Sequence, residues 1–230
     1  MSKAVIQPFA DYQKSRVIFV QTVAELANRE ANIEPLRSVD VMSLVGPLLA
    51  DPVASIKQSA ALAIGRLSKH SKELASQVIN EKSKILTMLI NSESSNNKFY
   101  KKSACYVLSQ VARHGPEWAE KVASVGAIKY LVECLSEYDP SVKRAAAWAL
   151  GHIAKHNKEL ASKVEKEQAI EYLIMCLQEP EIEIKKNSIQ TLSYIAQHSD
   201  DLASAVARVE NISIISYYIG LKDISLKEHD

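Results

Sequence analysis

Apolar residues recur with helical spacing in five similar segments of the chain. In KRAAAWALGHIAKH, which begins at Lys143, the residues Ala146, Leu150, Ile153 and Ala154 fall on one face of a helix. The equivalent segments begin near residues 16, 57, 101, 143 and 185. A period of about forty residues is typical of stacked helical repeats, in which each unit buries its apolar face against its neighbours.

Two further apolar patches follow each of these segments. After the fourth segment, Leu160 and Val164 mark a short helix, and Ile170 and Ile174 mark a longer one. We therefore predict three helices in each repeat. The expected fold class is all-α, a right-handed superhelical solenoid of about five three-helix repeats.

Residues that start and stop helices agree with this division. An acidic residue before a proline, as in Asp51–Pro52 and Asp139–Pro140, predicts the start of a long helix. Asn157 and Ser199 are predicted to cap the short helices that follow the fourth and fifth segments. Gly46–Pro47 predicts a kink or a break in the first repeat, because proline cannot continue the hydrogen bonding of a helix.

We expect residues 1–230 to form one continuous array without an internal domain boundary. Residues 1–15, with Phe9 and Tyr12 on a polar segment, are predicted to form an N-terminal cap. Repeats follow near the positions given above. A sixth repeat begins near residue 227 and is cut off by the end of the chain, so we expect a fragment or a short form.

The last complete repeat ends on apolar and aromatic side chains. Ile212, Ile215 and Ile219 lie three or four residues apart, beside Tyr217 and Tyr218. Terminal repeats that stand alone usually have a polar outer face, and an exposed apolar patch marks an interface. We therefore expect self-association through the C-terminal repeat, or packing there against a partner.

The composition limits the classes of protein and of partner. The chain has 47% hydrophobic and 24% charged residues with a net charge of +1, as is typical of folded globular proteins. No apolar run reaches the ~20 residues of a membrane span, and the N-terminus has no signal-peptide core. The three cysteines, Cys105, Cys134 and Cys176, are far apart and indicate a reducing compartment. We expect a cytoplasmic protein outside the membrane, and the near-neutral charge argues against nucleic acid as a partner.

The unit DPSVKRAAAWALGHIA, residues 139–154, resembles an armadillo repeat. The segments YQKSRVIFVQTVAELANRE, NKFYKKSA, EYDPSVKRAAAWALGHIAKHNKELA and LQEPEIEIK together resemble the armadillo-repeat proteins of the central apparatus in cilia and flagella. The resemblance runs from about Tyr12 to the C-terminus. It implies a non-enzymatic scaffold of the axonemal cytoskeleton that supports central-pair integrity and motility, with other central-apparatus proteins and microtubules as partners.

No pattern indicates catalysis, a cofactor or a metal site. Phosphate-binding and dinucleotide-binding glycine loops, the nucleophile elbow and paired cysteines are absent, so we expect no enzyme and no catalytic residues. Histidine occupies one repeat position four times, at His70, His114, His156 and His198. Equivalent residues of successive repeats do not converge on one ion, so we interpret them as structural groups at helix C-termini.

The outward face of the long helices is basic, with aromatic residues between the cations. The resemblance implies that the long helices line a concave groove, and helical geometry places Arg144, Trp148, His152 and Lys155 on one face. We name the predicted protein-binding positions the basic-aromatic surface. It consists of Arg66, Lys69, Lys102, Tyr106, Gln110, Arg113, Arg144, Trp148, His152, Lys155, Lys186 and Tyr194.

The charge of this surface indicates an acidic protein partner. Lys102, Arg144 and Lys186 lie near helix starts, where the helix dipole disfavours cations, so local stability does not explain their recurrence. An acidic segment, such as the tail of a tubulin subunit, would explain it. The alternative is that these side chains simply solvate an exposed helix face.

Two functions are open at this point. The resemblance favours a structural interaction module of the axoneme, and the alternative is a general armadillo adaptor in nuclear transport or signalling. Trp148 and His152 fall where nuclear-import adaptors use Trp and Asn to hold an extended peptide, but none of the five equivalent positions is Asn. A receptor for basic signals would also need an acidic groove. Location in the cell separates the two functions.

Overall fold

The structure is a computed structural model that describes residues 3–80, 82, 84–91, 97–208 and 215. Every element assigned in these residues is an α-helix or a short 3-10 helix, and none is a strand. The prediction of an all-α fold is therefore confirmed. The chain divides into two compact units, residues 1–114 and residues 115–230.

In the first unit, the long helices are separated by groups of short helices. Its elements in chain order are α1 (Lys3–Leu26), a 3-10 helix (Glu30–Asn32), α2 (Ile33–Ser38), α3 (Val41–Val45), a 3-10 helix (Gly46–Ala50), α4 (Ala54–His70), α5 (Lys72–Ile79), α6 (Ile85–Ile90) and α7 (Lys98–Ala112). The helices α4, α5 and α6 form one of the predicted triplets. The break expected at Gly46–Pro47 is present, because α3 ends at Val45 and a 3-10 helix follows.

The second unit repeats the same order. Its elements are α8 (Pro116–Ser124), α9 (Ala127–Leu135), α10 (Pro140–Ala154), α11 (Lys158–Lys166), α12 (Ala169–Cys176), α13 (Ile182–Ala196) and α14 (Asp200–Val206). The helices α10, α11 and α12 form a complete triplet, and α13 with α14 begin the next. That residues 1–230 form one continuous array stays a prediction.

In the second unit, α10 and α13 pack side by side and supply much of the core. Leu150 and Ile153 of α10 have no exposed surface, and Ile195 of α13 is equally buried. Burying a large aliphatic side chain contributes about 1.5–3 kcal/mol. The apolar stripe recognised in the sequence is therefore the face with which the long helix meets the neighbouring repeat.

The contact between α10 and α13 is so close that a glycine is needed at position 151. A Cβ atom on Gly151 would lie 2.6 Å from Thr191 Oγ1. The Thr191 hydroxyl is buried and donates a hydrogen bond of 2.8 Å to the carbonyl oxygen of Ala147. Because that hydrogen bond fixes the threonine, the side chain cannot move away at low cost. Small residues on α10 thus allow the two long helices to approach.

In the first unit, α4 packs against both α1 and α7. Ile64 and Leu67 of α4 are fully buried, as is Leu108 of α7. Tyr100 is the largest fully buried side chain among the described residues, and its hydroxyl donates to the carbonyl oxygen of Met88 at 3.3 Å. The long helices therefore form the core of this unit as well.

Most of the helix caps predicted from the sequence are present in the structure. The Asp139 carboxylate accepts from Ser141 N at 2.9 Å and α10 begins at Pro140, as predicted. Asn157 accepts from Leu160 N, and Ser199 accepts from Leu202 N, so both predicted caps are confirmed. Each cap satisfies one of the amide groups that a helix start leaves without an intrahelical partner.

Asp51 differs from the prediction. It accepts from Val53 N at 2.8 Å, but α4 begins only at Ala54, so Asp51 is not its capping residue. The Asp51 side chain is almost fully buried and forms an ion pair with Arg16 of α1. The physical reason is that the buried carboxylate is satisfied by a neighbouring helix as well as by its own turn.

A left-handed residue precedes the third helix of each triplet whose third helix the structure describes. Asp40, Lys84, Gly126 and Gln168 have φ angles of 49°, 53°, 86° and 62° and stand directly before α3, α6, α9 and α12, respectively. This conformation costs a residue with a Cβ atom about 1–2 kcal/mol. Sequence analysis did not predict these left-handed residues, because only one of the four is a glycine.

Residues 3–15 of the predicted N-terminal cap form the first part of helix α1, which runs from Lys3 to Leu26. That residues 1–15 act as a cap stays a prediction. Phe9 and Tyr12 are 72% and 64% exposed, because α1 extends as a single helix beyond the residues that it buries against α4.

The predicted self-association face lies mostly outside the described residues. Of its five side chains, only Ile215 is described, and the expected start of a sixth repeat near residue 227 also lies outside.

Replacement of Leu150 by alanine is expected to lower the free energy of unfolding by about 2–5 kcal/mol, because it leaves a cavity between α10 and α13. Glu171→Ala is the matched control, since Glu171 is exposed and its contact with Arg208 is a 3.7 Å surface pair. We expect the control to cost less than about 0.5 kcal/mol. Urea unfolding followed by circular dichroism measures both, and equal costs would contradict the helical register.

Replacement of Gly151 by alanine is expected to destabilise the chain by about 1–3 kcal/mol, although alanine favours a helix, because its Cβ atom would meet Thr191. Combining it with Thr191→Ala should recover part of that loss. Gly126→Ala is the control: nothing lies within 4 Å of its added Cβ atom, so its cost arises from the positive φ angle and should be independent of Thr191. A double-mutant cycle without coupling between positions 151 and 191 would contradict the close approach.

Candidate protein-binding surface

The first unit carries half of the basic-aromatic surface. Lys69 of α4, Lys102 of α7 and Arg113, which caps the C-terminus of α7, are exposed, whereas Arg66 and Tyr106 are half-buried. Among the described residues, none of these four cations has a carboxylate within ion-pair distance. This part of the surface therefore keeps its positive charge.

Arg66 is held in place by the preceding long helix. Its Nη1 atom donates a hydrogen bond of 2.5 Å to the carbonyl oxygen of Ala24 in the last turn of α1. Carbonyl groups in the last turn of a helix lack intrahelical partners, so the guanidinium satisfies one of them. The contact fixes the side chain and leaves its other N–H groups as donors.

The Tyr106 ring lies against the backbone of α4. A Cβ atom on Gly65 would lie only 2.5 Å from Tyr106 Cδ1, so the ring occupies the space that a side chain at this position would fill. Burial raises the pKa of the Tyr106 hydroxyl above its ordinary value, and the positive charges of Arg66 and Arg113 act against that rise. The hydroxyl therefore stays a neutral hydrogen-bond donor at physiological pH and lies within the field of both arginines.

Gln110 is wrongly assigned to the surface by the sequence. It is only 5% exposed, because the helix turn that carries it faces the interior of the first unit. Its amide oxygen accepts from Arg113 Nη1 at 3.1 Å, and its Nε2 lies 3.4 Å from Ser109 Oγ. Gln110 thus orients Arg113 and is not available to a ligand.

In the second unit, Trp148 and His152 form an exposed aromatic pair one helical turn apart on α10. Their ring centroids are 4.7 Å apart, with an angle of 87° between the planes, and Trp148 is 45% exposed. Lys155 Nζ lies 3.0 Å from His152 Nδ1. An ammonium group can only donate, so Nδ1 accepts and a neutral His152 carries its proton on Nε2.

Two cations of the surface in the second unit have carboxylate partners. Arg144 Nη1 lies 3.0 Å from Glu181 Oε1, and Lys186 Nζ lies 2.8 Å from Glu183 Oε1. The hydrogen bond from Lys186 lowers the pKa of Glu183. The expectation that local structure does not explain Arg144 and Lys186 is therefore wrong, because the acids at the start of α13 pair with both. The signal in the sequence was the acidic segment LQEPEIE, which ends at Glu183, two residues before Lys185.

Tyr194 contributes mainly to packing between repeats. It is half-buried, and its ring lies 3.7 Å from the position of a Cβ atom on Gly151. Nearby, Asn187 Nδ2 donates to the carbonyl oxygen of Arg144 at 3.3 Å. Sequence analysis missed this link between α10 and α13, because an isolated Asn in a helix gives no pattern.

The repeated histidines join successive long helices. His114 Nε2 lies 2.6 Å from the carbonyl oxygen of Ser68, and His198 Nε2 lies 2.8 Å from that of Ala154. Both acceptors stand in the last turn of the preceding long helix, where carbonyls lack intrahelical partners. For these two histidines the structural interpretation agrees with the geometry, and the ring nitrogen acts as the donor.

The cysteines are buried in the two units. Cys105, Cys134 and Cys176 are free thiols with at most 2% exposure. Burial raises the pKa of the Cys176 thiol to about 11, and the nearby Lys143 charge acts against that rise. The described residues contain no cluster of three or more His, Cys, Asp or Glu side chains arranged to hold a metal ion. Within the same residues, no helix has the length and hydrophobicity to cross a membrane.

Comparison with known repeats and structures identifies the fold. Residues 119–155 match the armadillo/beta-catenin-like repeat, and residues 140–195 match a HEAT-like repeat. A designed armadillo repeat protein in complex with the peptide (KR)4 superimposes with a TM-score of 0.80 at 20% sequence identity, covering 89% of this chain and 84% of the designed one. The chain has the armadillo-repeat fold.

Among curated proteins, the chain is similar to sperm-associated antigen 6. The protein from Mus musculus is 51% identical over 102 residues, which cover 44% of this chain and 20% of that protein. The protein from Homo sapiens is 50% identical over 102 residues with the same coverage. The match thus spans about a fifth of the length of these curated relatives.

The stability of the chain is expected to fall by up to about 2 kcal/mol through the titration of Cys176 alone as the pH rises from 9 to about 11. The unfolded thiol ionises near pH 9 and the folded one near 11, so the contribution is fully present below pH 9 and is lost through that interval. Urea unfolding of the wild type and of Cys176→Ala measures it. The variant should lack this part of the decline, and parallel pH profiles would contradict the assignment.

Proposed function

We propose that this chain is a non-enzymatic scaffold of the central apparatus in the axoneme of cilia or flagella, where it supports central-pair integrity and motility. The observation that carries the proposal is its identity of 51% over 102 residues with sperm-associated antigen 6. The resemblance of its long sequence segments to central-apparatus armadillo proteins supports the same location. The armadillo fold is typically a scaffold for protein partners, and neither matching repeat family is catalytic.

The proposed partners are other central-apparatus proteins and the acidic tails of tubulin in microtubules. Exposed cations beside Tyr106 in the first unit support an acidic ligand there. In the second unit, the exposed Trp148–His152 pair supplies an aromatic contact area. Aromatic rings and arginines are the side chains that contribute most to protein interfaces. Self-association through the C-terminal repeat stays a prediction.

A general adaptor function in nuclear transport or signalling is supported by the fold alone. The designed armadillo protein of similar fold holds the basic peptide (KR)4. A basic peptide would be repelled by Lys69, Lys102 and Arg113, which carry positive charge without carboxylate partners among the described residues. The charge of the surface therefore favours the axonemal proposal over a receptor for basic signals.

Expression of the tagged chain in cells with motile cilia tests the proposal. We expect the tag to lie along the axoneme and to stay with it after detergent removes the membrane, because a scaffold is bound to protein partners rather than dissolved in the cytoplasm. Immunofluorescence of detergent-extracted cilia measures this, with the tag alone as the control. Accumulation at the nuclear envelope would contradict the axonemal location and favour the adaptor.

A further inference from the structure

The cations of the basic-aromatic surface differ in whether a described carboxylate already neutralises them. In the second unit, Arg144 and Lys186 have carboxylate partners at 3.0 Å and 2.8 Å. In the first unit, no described carboxylate pairs with Arg66, Arg113 or Lys102. An incoming acidic group must displace an existing ion pair in the second unit but not in the first. We therefore expect acidic groups to bind more tightly to the first unit than to the second.

Arg66 of α4 and Arg113, which caps α7, both lie near Tyr106 in the first unit. Arg66 follows Gly65, against which the Tyr106 ring lies. Gln110 and Arg113 follow Tyr106 by one and two turns on the same face of α7. The Arg113 guanidinium bends back to Gln110 Oε1, in the direction of Tyr106. Both arginine charges also act on the Tyr106 hydroxyl.

The two guanidinium groups are positioned before any ligand arrives. Arg66 is fixed by its 2.5 Å hydrogen bond to the Ala24 carbonyl, and Arg113 by its 3.1 Å hydrogen bond to Gln110. Each contact uses one of the five N–H donors of a guanidinium, so several donors stay available. Ordering side chains in advance reduces the entropy that a ligand loses on binding.

We propose that Arg66, Tyr106 and Arg113 form a carboxylate-binding site that anchors one glutamate or aspartate side chain of an acidic peptide. Planar guanidinium groups bind carboxylates through paired N–H donors, and the phenol adds a third donor. Neighbouring acidic residues of the peptide then meet the exposed Lys69 and Lys102. This inference rests on the proposed function, because it takes an acidic protein segment as the ligand and names its anchor.

Binding of a fluorescein-labelled octaglutamate peptide to the full chain tests the site. Fluorescence anisotropy at about 50 mM and about 300 mM salt measures affinity and its screening. Arg113→Gln should weaken binding by about tenfold or more, because it removes a charge-assisted contact. The matched control is Arg37→Gln, because Arg37 lies outside the basic-aromatic surface and its charge is already paired with Glu34, and the affinity of this variant should stay within about twofold of the wild type.

A second variant separates the site from general charge. Tyr106→Phe keeps the ring on Gly65 and removes only the hydroxyl, so we expect about two- to fivefold weaker binding with an unchanged circular dichroism spectrum. Equal losses in Arg113→Gln and Arg37→Gln, or a loss in Arg37→Gln alone, would overturn this site while leaving an acid-binding surface. Tighter binding of an oligothymidylate than of octaglutamate would identify a phosphate site and overturn the acidic peptide. Wild-type chain that binds no octaglutamate would overturn both the site and the proposed acidic ligands, without bearing on axonemal location.

Discussion

Each long helix has an apolar face that must be buried against neighbouring helices, and most features of the structure follow from that constraint. In the second unit, α13 covers α10, and in the first, α1 and α7 cover α4. Close packing needs small residues at the contact, which explains the alanines and Gly151. It also brings side chains of one helix to the carbonyls of the preceding one, as with Thr191 and His198. The neighbour thus supplies both burial and hydrogen bonds.

The same constraint leaves the opposite face of each long helix to solvent, where sequence can vary without loss of the core. Trp148 and Arg113 stand on such faces. Packing does not determine which residue types occupy these exposed positions, so the residue types there can be determined by function. This is why an armadillo fold by itself assigns no partner, and why the charge state of individual side chains carries the functional argument.

Elements with a periodic signal were predictable from the sequence. The buried stripe, the three-helix order and the caps at Asp139, Asn157 and Ser199 all follow from local spacing and capping chemistry. Features that depend on contacts between repeats were not. The left-handed residue before the third helix is glycine only at Gly126, and the partner of Arg144 lies 37 residues away at Glu181. Periodicity also misplaced residues at the edge of the helix stripe, because a small rotation of the helix decides whether they are exposed.

The residues that start a long helix decide the charge of its outward face. Glu181 stands directly before helix α13 and Glu183 lies in its first turn, where the helix dipole favours carboxylates. These acids also neutralise Arg144 and Lys186. Helix α7 is instead capped by the neutral Asn97 and has no acid in its first turn. The amide satisfies the helix start equally well through hydrogen bonds, but it supplies no negative charge. The start of α7 therefore supplies no acidic partner to the cations nearby, whereas the acids at the start of α13 pair with Arg144 and Lys186.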